Sequence, residues 1–185
     1  MIYEAHEFLL KDGTKVIIKS PDISDGPKLL ANIIAISAST DFLLSVPEDY
    51  DIYLKDMKKE EDFISSFTDN DSCLLCAYIA DKIIANCMLR VHTHVKDRHR
   101  ADIGIAIAPD YQNRGLGSLL FDELIKIAKS LKYVEQLELD VVKINERAKH
   151  LYQNKGFVKV GDIPHDIRLK DGTYLDSEKM ILFLK

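Results

Sequence analysis

The chain changes its hydrophobic period within one stretch, ADIGIAIAPDYQNRGLGSLLFDELIKIAKSL, residues 101 to 131. Residues 101–108 alternate isoleucine with small or acidic residues, the two-residue period of a half-buried strand, and Pro109 ends them. From Ser118 to Leu131 the apolar residues recur every three or four positions, as on an amphipathic helix. Between them lies QNRGLG, residues 112–117, with two glycines and several hydrogen-bond donors. The stretch therefore predicts a strand, a glycine loop and a helix in succession.

A glycine loop before a helix suits an anion, because the first helical turn has unpaired amides and a partial positive charge. Gly115 and Gly117 allow close approach of the backbone and positive φ, and Arg114 adds a full charge. The chain has no Walker loop, and the dinucleotide fingerprint fails because Leu120 stands where its third glycine belongs. The hexapeptide alone leaves a phosphate site and a plain turn as equal alternatives.

Turn residues and periodicity divide the rest of the chain into further elements. Before residue 101 the sequence predicts two short strands around Asp12-Gly13 and then a helix whose apolar stripe runs from Leu29 to Ser37. A second helical region starts at Pro47 and is most periodic over Leu54–Phe67, where the expected buried residues are Met57, Phe63, Ile64 and Phe67. A hairpin that turns at Asp81-Lys82 follows. After residue 131 the sequence predicts a strand over Gln136–Val142 and a helix over Asn145–Lys155, with Asn145 as its N-cap and Gly156 at C′. The last two predicted strands are Phe157–Ile163 and Leu175–Leu184, joined by a loop with an Asp171-Gly172 turn.

Length and composition set the broad class of the protein. With 185 residues and 46% hydrophobic content, the chain has enough core for one domain, residues 1–185. The net charge of -5 argues against a nucleic-acid partner, which usually meets a basic face. The sequence has no run of about 18 apolar residues that would predict a membrane span, and its acidic N-terminal segment does not resemble a signal peptide. We therefore expect a cytoplasmic protein without a membrane partner.

Two groups of residues raise the question of a metal. Cys73 and Cys76 form a CxxC pair inside a strand-like run, where they point to opposite faces, so buried thiols are expected. His92 and His94 share one face of a strand, with His99 nearby, but exposed histidines near a hairpin tip are the commoner case. The sequence therefore predicts no metal.

A second motif follows the glycine loop at a suitable distance. It comprises Asn145 and Ala148, then Leu151-Tyr152, then Gly156-Phe157. This spacing resembles the N-x-x-A-x-x-L-Y-x-x-x-G-F pattern of the GNAT superfamily of N-acetyltransferases. The loop QNRGLG is similar to the Q/R-x-x-G-x-G/A signature of the same family, so the resemblance covers about residues 101 to 160.

The resemblance implies a mixed α/β (α+β) fold with a largely antiparallel central sheet flanked by helices. Two splayed parallel strands, residues 101–108 and 136–142, would form the cleft for acetyl-CoA. The family's pyrophosphate loop falls on Gln112, Asn113, Arg114, Gly115, Leu116, Gly117 and Ser118. The pantetheine arm would meet main-chain groups of Ile105, Ile107 and Ala108 and the helix residues Asn145, Ala148 and Tyr152.

The same resemblance assigns two catalytic residues. Tyr152 would be the general acid that protonates the departing CoA thiolate, because a tyrosine with an ordinary pKa stays protonated at neutral pH. Asp102 stands where some family members carry a catalytic glutamate and would be the base that takes the amine's proton. A structural carboxylate that caps a neighbouring loop is an equal alternative for Asp102.

The function implied is transfer of an acetyl group from acetyl-CoA to the primary amine of a small molecule, by direct attack of the amine on the thioester. A peptide or protein N-terminal amine is the alternative acceptor, and a non-catalytic CoA-binding module is the alternative outside enzymes. His165 and Tyr174 are candidates for the acceptor pocket. The chain is expected to be a monomer or a homodimer.

Overall fold

In the computed structural model, which describes residues 1–68 and 70–185, eight strands form one sheet. In chain order they are β1 His6–Leu9, β2 Lys15–Lys19, β3 Cys73–Ile79, β4 Lys82–Val91, β5 Arg100–Ile107, β6 Gln136–Val142, β7 Val158–Arg168 and β8 Tyr174–Phe183. The helices are α1 Gly26–Ser37, α2 Asp51–Lys55, α3 Lys58–Ser65, α4 Leu116–Ser130 and α5 Glu146–Asn154, with short 3₁₀ turns at Ile23–Asp25, Pro47–Tyr50 and Pro109–Tyr111.

The strand order across the sheet is β1-β2-β3-β4-β5-β6-β8-β7. Every pair of neighbours is antiparallel except β5 and β6, which run parallel. The predicted fold class, a mixed and largely antiparallel sheet flanked by helices, is therefore confirmed. No helix in the described ranges combines the length and the apolar character needed to cross a bilayer.

The parallel pair is short. β5 and β6 are paired only over Arg100–Gln136, Ala101–Leu137 and Asp102–Glu138, and beyond these positions the two strands diverge. The five remaining residues of β5 and four of β6 border an opening in the middle of the sheet. The divergence of β5 and β6 corresponds to the two splayed parallel strands that were expected over residues 101–108 and 136–142.

The core lies on both faces of the sheet. On one face α4 and α5 pack through Leu120, Phe121, Leu124 and Tyr152 against the isoleucine side of β5. On the other face α1, α3 and the turn after α3 cover β3 and β4 through Leu29, Ile64 and Phe67. The alternation along β5 thus gives its isoleucines to the α4 face and its small or polar residues to the opposite face.

Two predicted elements needed correction. The region Leu54–Phe67 is not one helix, because α2 ends at Lys55 and α3 begins only at Lys58. Asp56, with φ -145, interrupts the helical backbone, and its carboxylate accepts a hydrogen bond from the amide of Lys58. The loop predicted after Ile163 is mostly strand, since β7 continues to Arg168. A register shift between Ile163 and Ile167 absorbs Pro164, and β7 tolerates a proline because it is an edge strand.

Candidate active site

A cleft of about 980 Å³ opens where β5 and β6 diverge. Its walls come from the end of α1 and the segment after it, from both strands, from the glycine loop and from α5. Ligand pockets for small molecules typically have volumes of about 300–1,000 Å³ and linings that combine apolar and polar groups. The two sequence motifs therefore meet at one place, although their residues are about 30 positions apart in the chain.

The glycine loop forms the N-terminus of α4, which begins two residues earlier than predicted, at Leu116. Gly115 is the N-cap with φ +87, a left-handed conformation that a side chain would strain, and Asn113 also has positive φ. No side chain caps the helix. Within the part of the chain that the structure describes, no acceptor outside α4 receives the amides of residues 113 to 118. These amides are free to bind an anion.

Gly117 lies in the first turn of α4 and faces neighbouring side chains. A Cβ at this position would stand 3.1 Å from Leu151 Cδ2 and 3.3 Å from Ile107 Cδ1. Glycine therefore lets α4 pack closely against α5 and against the end of β5. This packing requirement was not part of the sequence prediction, which gave Gly117 to the ligand alone.

Gln112 connects the loop to both neighbouring elements. Its amide nitrogen donates to the carbonyl of Ile107 over 2.9 Å, and its amide oxygen accepts from Arg147 Nη1 on α5. The first residue of the loop motif is thus held between the end of β5 and the start of α5. This bridge fixes the position of the free amides relative to the strands.

Backbone groups of both strands point into the opening. The amide of Ala108 donates to Ile84 in β4, so alternation turns the backbone groups of Ile105 and Ile107 away from β4 and toward the opening. On β6 the amide of Lys143 donates to Asp176, which turns Asp140 and Val142 the same way. An extended molecule with amides would find partners on both sides.

Asn145 and Tyr152 lie on α5 and both line the cleft. Asn145 is the N-cap, as predicted, and its Oδ1 accepts the amide of Ala148 over 3.2 Å. Tyr152 packs beside Phe121, with ring centroids 5.2 Å apart, and is 8% exposed. Burial raises the pKa of Tyr152 to about 12, and its hydroxyl has no hydrogen-bond partner among the described residues. The proton therefore stays on Tyr152 throughout the neutral range.

Asp102 is outside the cleft lining. Its carboxylate lies 3.0 Å from His92 Nε2, and Asp97 lies 3.3 Å from the other ring nitrogen. Asp102 therefore belongs to a short chain of polar groups at the rim of β4 and β5. This arrangement matches the structural alternative, since neither Asp102 nor His92 lines the cleft.

Most residues predicted for acetyl-CoA border the cleft: Ile105, Ile107, Gln112, Asn113, Gly115, Gly117, Ser118, Asn145, Ala148 and Tyr152. The side chain of Leu116 is in the core, and Ala108 gives its amide to β4. Arg114 turns to Asp12, 3.1 Å away, and to the ring of Tyr111. His165 and Tyr174 stack on each other in the β7–β8 hairpin and do not line the cleft.

The residues predicted from the sequence did not include four charged side chains of the cleft: Lys11, Asp140, Arg147 and Lys155. Lys11 reaches the loop from the β1–β2 turn, where its side chain would touch a Cβ at Gly115. Lys155 is held by Asp122 over 2.6 Å. Only the position of Arg147 within the second motif carried a local signal. In the ranges 1–68 and 70–185, no three His, Cys, Asp or Glu side chains form a group that suits a metal.

The Acetyltransferase (GNAT) family profile matches residues 39–157. Among curated proteins, an L-amino acid N-acetyltransferase of Escherichia coli is 28% identical over 57% of this chain and 65% of its own length. A spermidine N(1)-acetyltransferase of Escherichia coli is 30% identical over 50% of this chain and 47% of its own length. The chain thus spans about half to two thirds of the length of these relatives.

Solved structures agree over a larger part of the chain. A GNAT-family acetyltransferase from Streptococcus pneumoniae has a TM-score of 0.84 at 29% identity, over 91% of this chain and 99% of that chain. A Salmonella typhimurium protein solved with its cofactor acetyl-CoA has a TM-score of 0.78 at 16% identity, over 92% and 94% of the two chains, which shows a shared fold. With both motifs meeting at the opening between β5 and β6, the chain belongs to the acetyltransferase (GNAT) family.

Proposed function

We propose that this protein, acting as one domain over residues 1–185, is an acetyl-CoA-dependent N-acetyltransferase for the primary amine of a small molecule. The opening between β5 and β6 carries the proposal, because it brings together free loop amides, free strand edges and a buried tyrosine hydroxyl. The acceptors named for the curated relatives, L-amino acids and spermidine, are small amines and support the same class.

The residues at the loop fit the pyrophosphate of acetyl-CoA. The unpaired amides of residues 113 to 118 and the dipole of α4 favour negative charge, and the glycines leave room for it. Lys11 and Arg147 add two cationic side chains to the lining at this end of the cleft. Arg114 is bound to Asp12, so its contribution is to hold the loop against the β1–β2 turn.

The strand edges fit the pantetheine arm. This arm is extended and carries amide groups, and the backbone groups of Ile105, Ile107, Asp140 and Val142 face the opening. The side chain of Asn145 is occupied through its oxygen by the cap of α5, which leaves its amide nitrogen as the available donor. We assign these groups to positioning of the donor.

Acetyl-CoA supplies an activated acetyl group as a thioester. Tyr152 holds its proton at neutral pH, because burial raises its pKa to about 12, and its hydroxyl lies in the cleft without an acceptor among residues 1–68 and 70–185. It is therefore suited to protonate a departing thiolate. The amine must lose a proton before or during its attack. Asp102 stays our candidate for that base, acting through water because its carboxylate lies outside the cleft lining.

A small acceptor agrees with the walls of the cleft on the side of α1. The half-buried Phe42 and Leu43 line this side together with Ile36 and Thr40. An apolar wall of this kind favours a compact molecule over a folded protein surface. The oligomeric state, monomer or homodimer, stays a prediction.

Calorimetric titration with acetyl-CoA is the first test, followed by mass spectrometry of a panel of amines incubated with acetyl-CoA. We expect saturable binding at one site per chain and acetylation of a small primary amine. Acetylation of peptides alone would remove the small-molecule acceptor, and binding without turnover would indicate a CoA-binding module. Absence of acetyl-CoA binding would overturn the proposal as a whole.

A further inference from the structure

Asp140 has a distinct place in the cleft. It lies on β6 beside the opening, two residues beyond Glu138, the last residue paired with β5. Alternation along β6 gives Leu139 and Val141 to the α4 core and turns Asp140 to the opposite face of the sheet. Tyr152 belongs to the α4 side. The carboxylate and the tyrosine therefore approach the opening from its two sides.

The charges of the cleft are segregated. Among the described residues that line it, Asp140 is the sole carboxylate, whereas Lys11, Arg147 and Lys155 are cationic. Lys11 and Arg147 touch the glycine loop, and Lys155 follows α5. The cationic end suits phosphate groups, so the acidic position on the far side of the opening is left for another ligand.

The neighbours of Asp140 leave it available. Glu138 is 1% exposed and satisfied, since Arg100 binds both of its oxygens and Gln136 donates to one of them. Lys179 stands 3.4 Å from both Asp140 and Glu138, a distance of ion pairing beyond the usual hydrogen-bond range. The side chain of Asp140 is 45% exposed, so a ligand can reach it.

We propose that Asp140 binds the ammonium of the incoming acceptor, before the attacking amine loses its proton, and selects alkylamines that carry no carboxylate on the carbon bearing the nitrogen. The inference rests on the proposed function. A carboxylate next to the amine would be repelled by Asp140, and Lys179, the nearest cation, is already shared between Asp140 and Glu138. A diamine or polyamine carries positive charge and has no carboxylate for Asp140 to repel.

Matched substrates test the selection. 1,5-Diaminopentane and L-lysine differ by one carboxylate, as do tyramine and L-tyrosine. We expect kcat/KM to be about tenfold or more higher for each decarboxylated partner. Asp140→Asn is expected to raise the KM for 1,5-diaminopentane about tenfold and to reduce the ratio of kcat/KM between the two amines of each matched pair. The affinity for acetyl-CoA should stay unchanged. Asp166→Asn, which removes an exposed carboxylate of β7, is the control.

The outcomes separate this inference from the proposed function. Higher kcat/KM for L-lysine than for 1,5-diaminopentane, or an unchanged KM in Asp140→Asn, would overturn the role of Asp140 while acetylation itself stands. Wild-type protein that binds acetyl-CoA but acetylates no amine overturns both. Asp140→Asn should fold, because Lys179 keeps Glu138 as its partner. If it does not, the wild-type preference within the matched pairs decides.

Discussion

Strand β6 has two edges, and they are bonded to very different extents. Toward β8 it is paired over seven positions, from Gln136 to Val142. Toward β5 it is paired over three, and the last of these is Asp102–Glu138. The same seven residues therefore complete the sheet on one side and leave it open on the other.

The difference shows how one strand serves both stability and binding. Each strand edge carries backbone groups that need partners, and the β8 edge satisfies them within the protein. At the β5 edge the groups of Asp140 and Val142 face the cleft, where a ligand or water can pair with them. The short parallel ladder is reinforced by the ion pair between Arg100 and Glu138, which crosses the two strands.

The largest effect is expected at the open edge. Tyr152→Phe should lower kcat about 100-fold, because it removes the proposed proton donor from the cleft and keeps the packed ring. Acetyl-CoA affinity should change little. Steady-state kinetics and calorimetry measure the two effects. Tyr174→Phe, in the β7–β8 hairpin, is the control, and an unchanged kcat in Tyr152→Phe would leave Tyr152 a packing role only.

The ion pair that holds the parallel ladder comes next. Arg100 lowers the pKa of Glu138 to about 2, so Glu138 contributes stability above its ordinary pKa that is lost as the pH falls toward 2. Glu138→Gln should therefore reduce the free energy of unfolding by about 2 kcal/mol at pH 7. Urea unfolding at pH 7 and about pH 3 measures the change.

The loss in Glu138→Gln should be smaller at the lower pH, because there the unfolded chain takes up a proton on Glu138 while the folded protein keeps it ionised, which reduces the stability that the pair contributes. Asp162→Asn, which removes an exposed carboxylate paired with Lys159, should cost little at either pH. Equal losses at both pH values in Glu138→Gln would contradict an electrostatic clamp between β5 and β6.

Gly117→Ala should disturb the loop by a smaller amount. Its Cβ would stand 3.1 Å from Leu151 Cδ2 and 3.3 Å from Ile107 Cδ1, so these side chains must give way or α4 must shift, and either change disturbs the loop amides at the start of α4. We expect acetyl-CoA affinity to fall about tenfold, or about 1.4 kcal/mol. Gly161→Ala is the matched control, since no atom lies within 4 Å of its Cβ position. Calorimetric titration of both variants measures the difference.

The smallest effect concerns a buried carboxylate away from β6. Glu60 is 4% exposed and, within the described residues, has no cationic partner, so burial raises its pKa to about 7. The unfolded chain loses this proton first, so stability falls as the pH rises from about 4.5 to 7. Glu60→Gln should add about 1 kcal/mol to the free energy of unfolding at pH 8 and almost nothing at pH 4.

Urea unfolding at the two pH values measures the effect of Glu60→Gln. The exposed neighbour Glu61 provides the control variant, Glu61→Gln, which should leave stability unchanged at both. An equal gain in the free energy of unfolding at pH 4 and pH 8 would contradict the raised pKa of Glu60 as the source of the effect. The pair Glu60 and Glu138 thus compares a buried carboxylate with and without a guanidinium.

Much of the fold was predictable because its signals are local. The change of period after Pro109, the N-cap at Asn145 and the positive φ of Gly115 and Gly156 each depend on a few neighbouring residues. The same holds for β6, whose predicted ends were confirmed. Local signals failed where tertiary context decides, as at Asp56, where the helical pattern continues in the sequence but the chain turns.

The charged parts of the candidate site were not predictable in this way. Lys11 reaches the loop from a hairpin about 100 residues earlier in the chain, and the carboxylate of Asp12 in the same turn pairs with Arg114 and holds it away from the cleft. The sequence places Asp140 on a strand, but the register with β5 decides that it borders the opening. Long-range pairing therefore positions these charges.

The cysteines described above have a practical consequence. Cys73 and Cys76 lie on opposite faces of β3, in two separate halves of the core, and Cys87 is equally buried. Burial raises the pKa of all three thiols, so little thiolate is present at neutral pH. A chromogenic disulfide reagent added to the native protein should therefore count the CoA released by turnover, with almost no background from the protein itself.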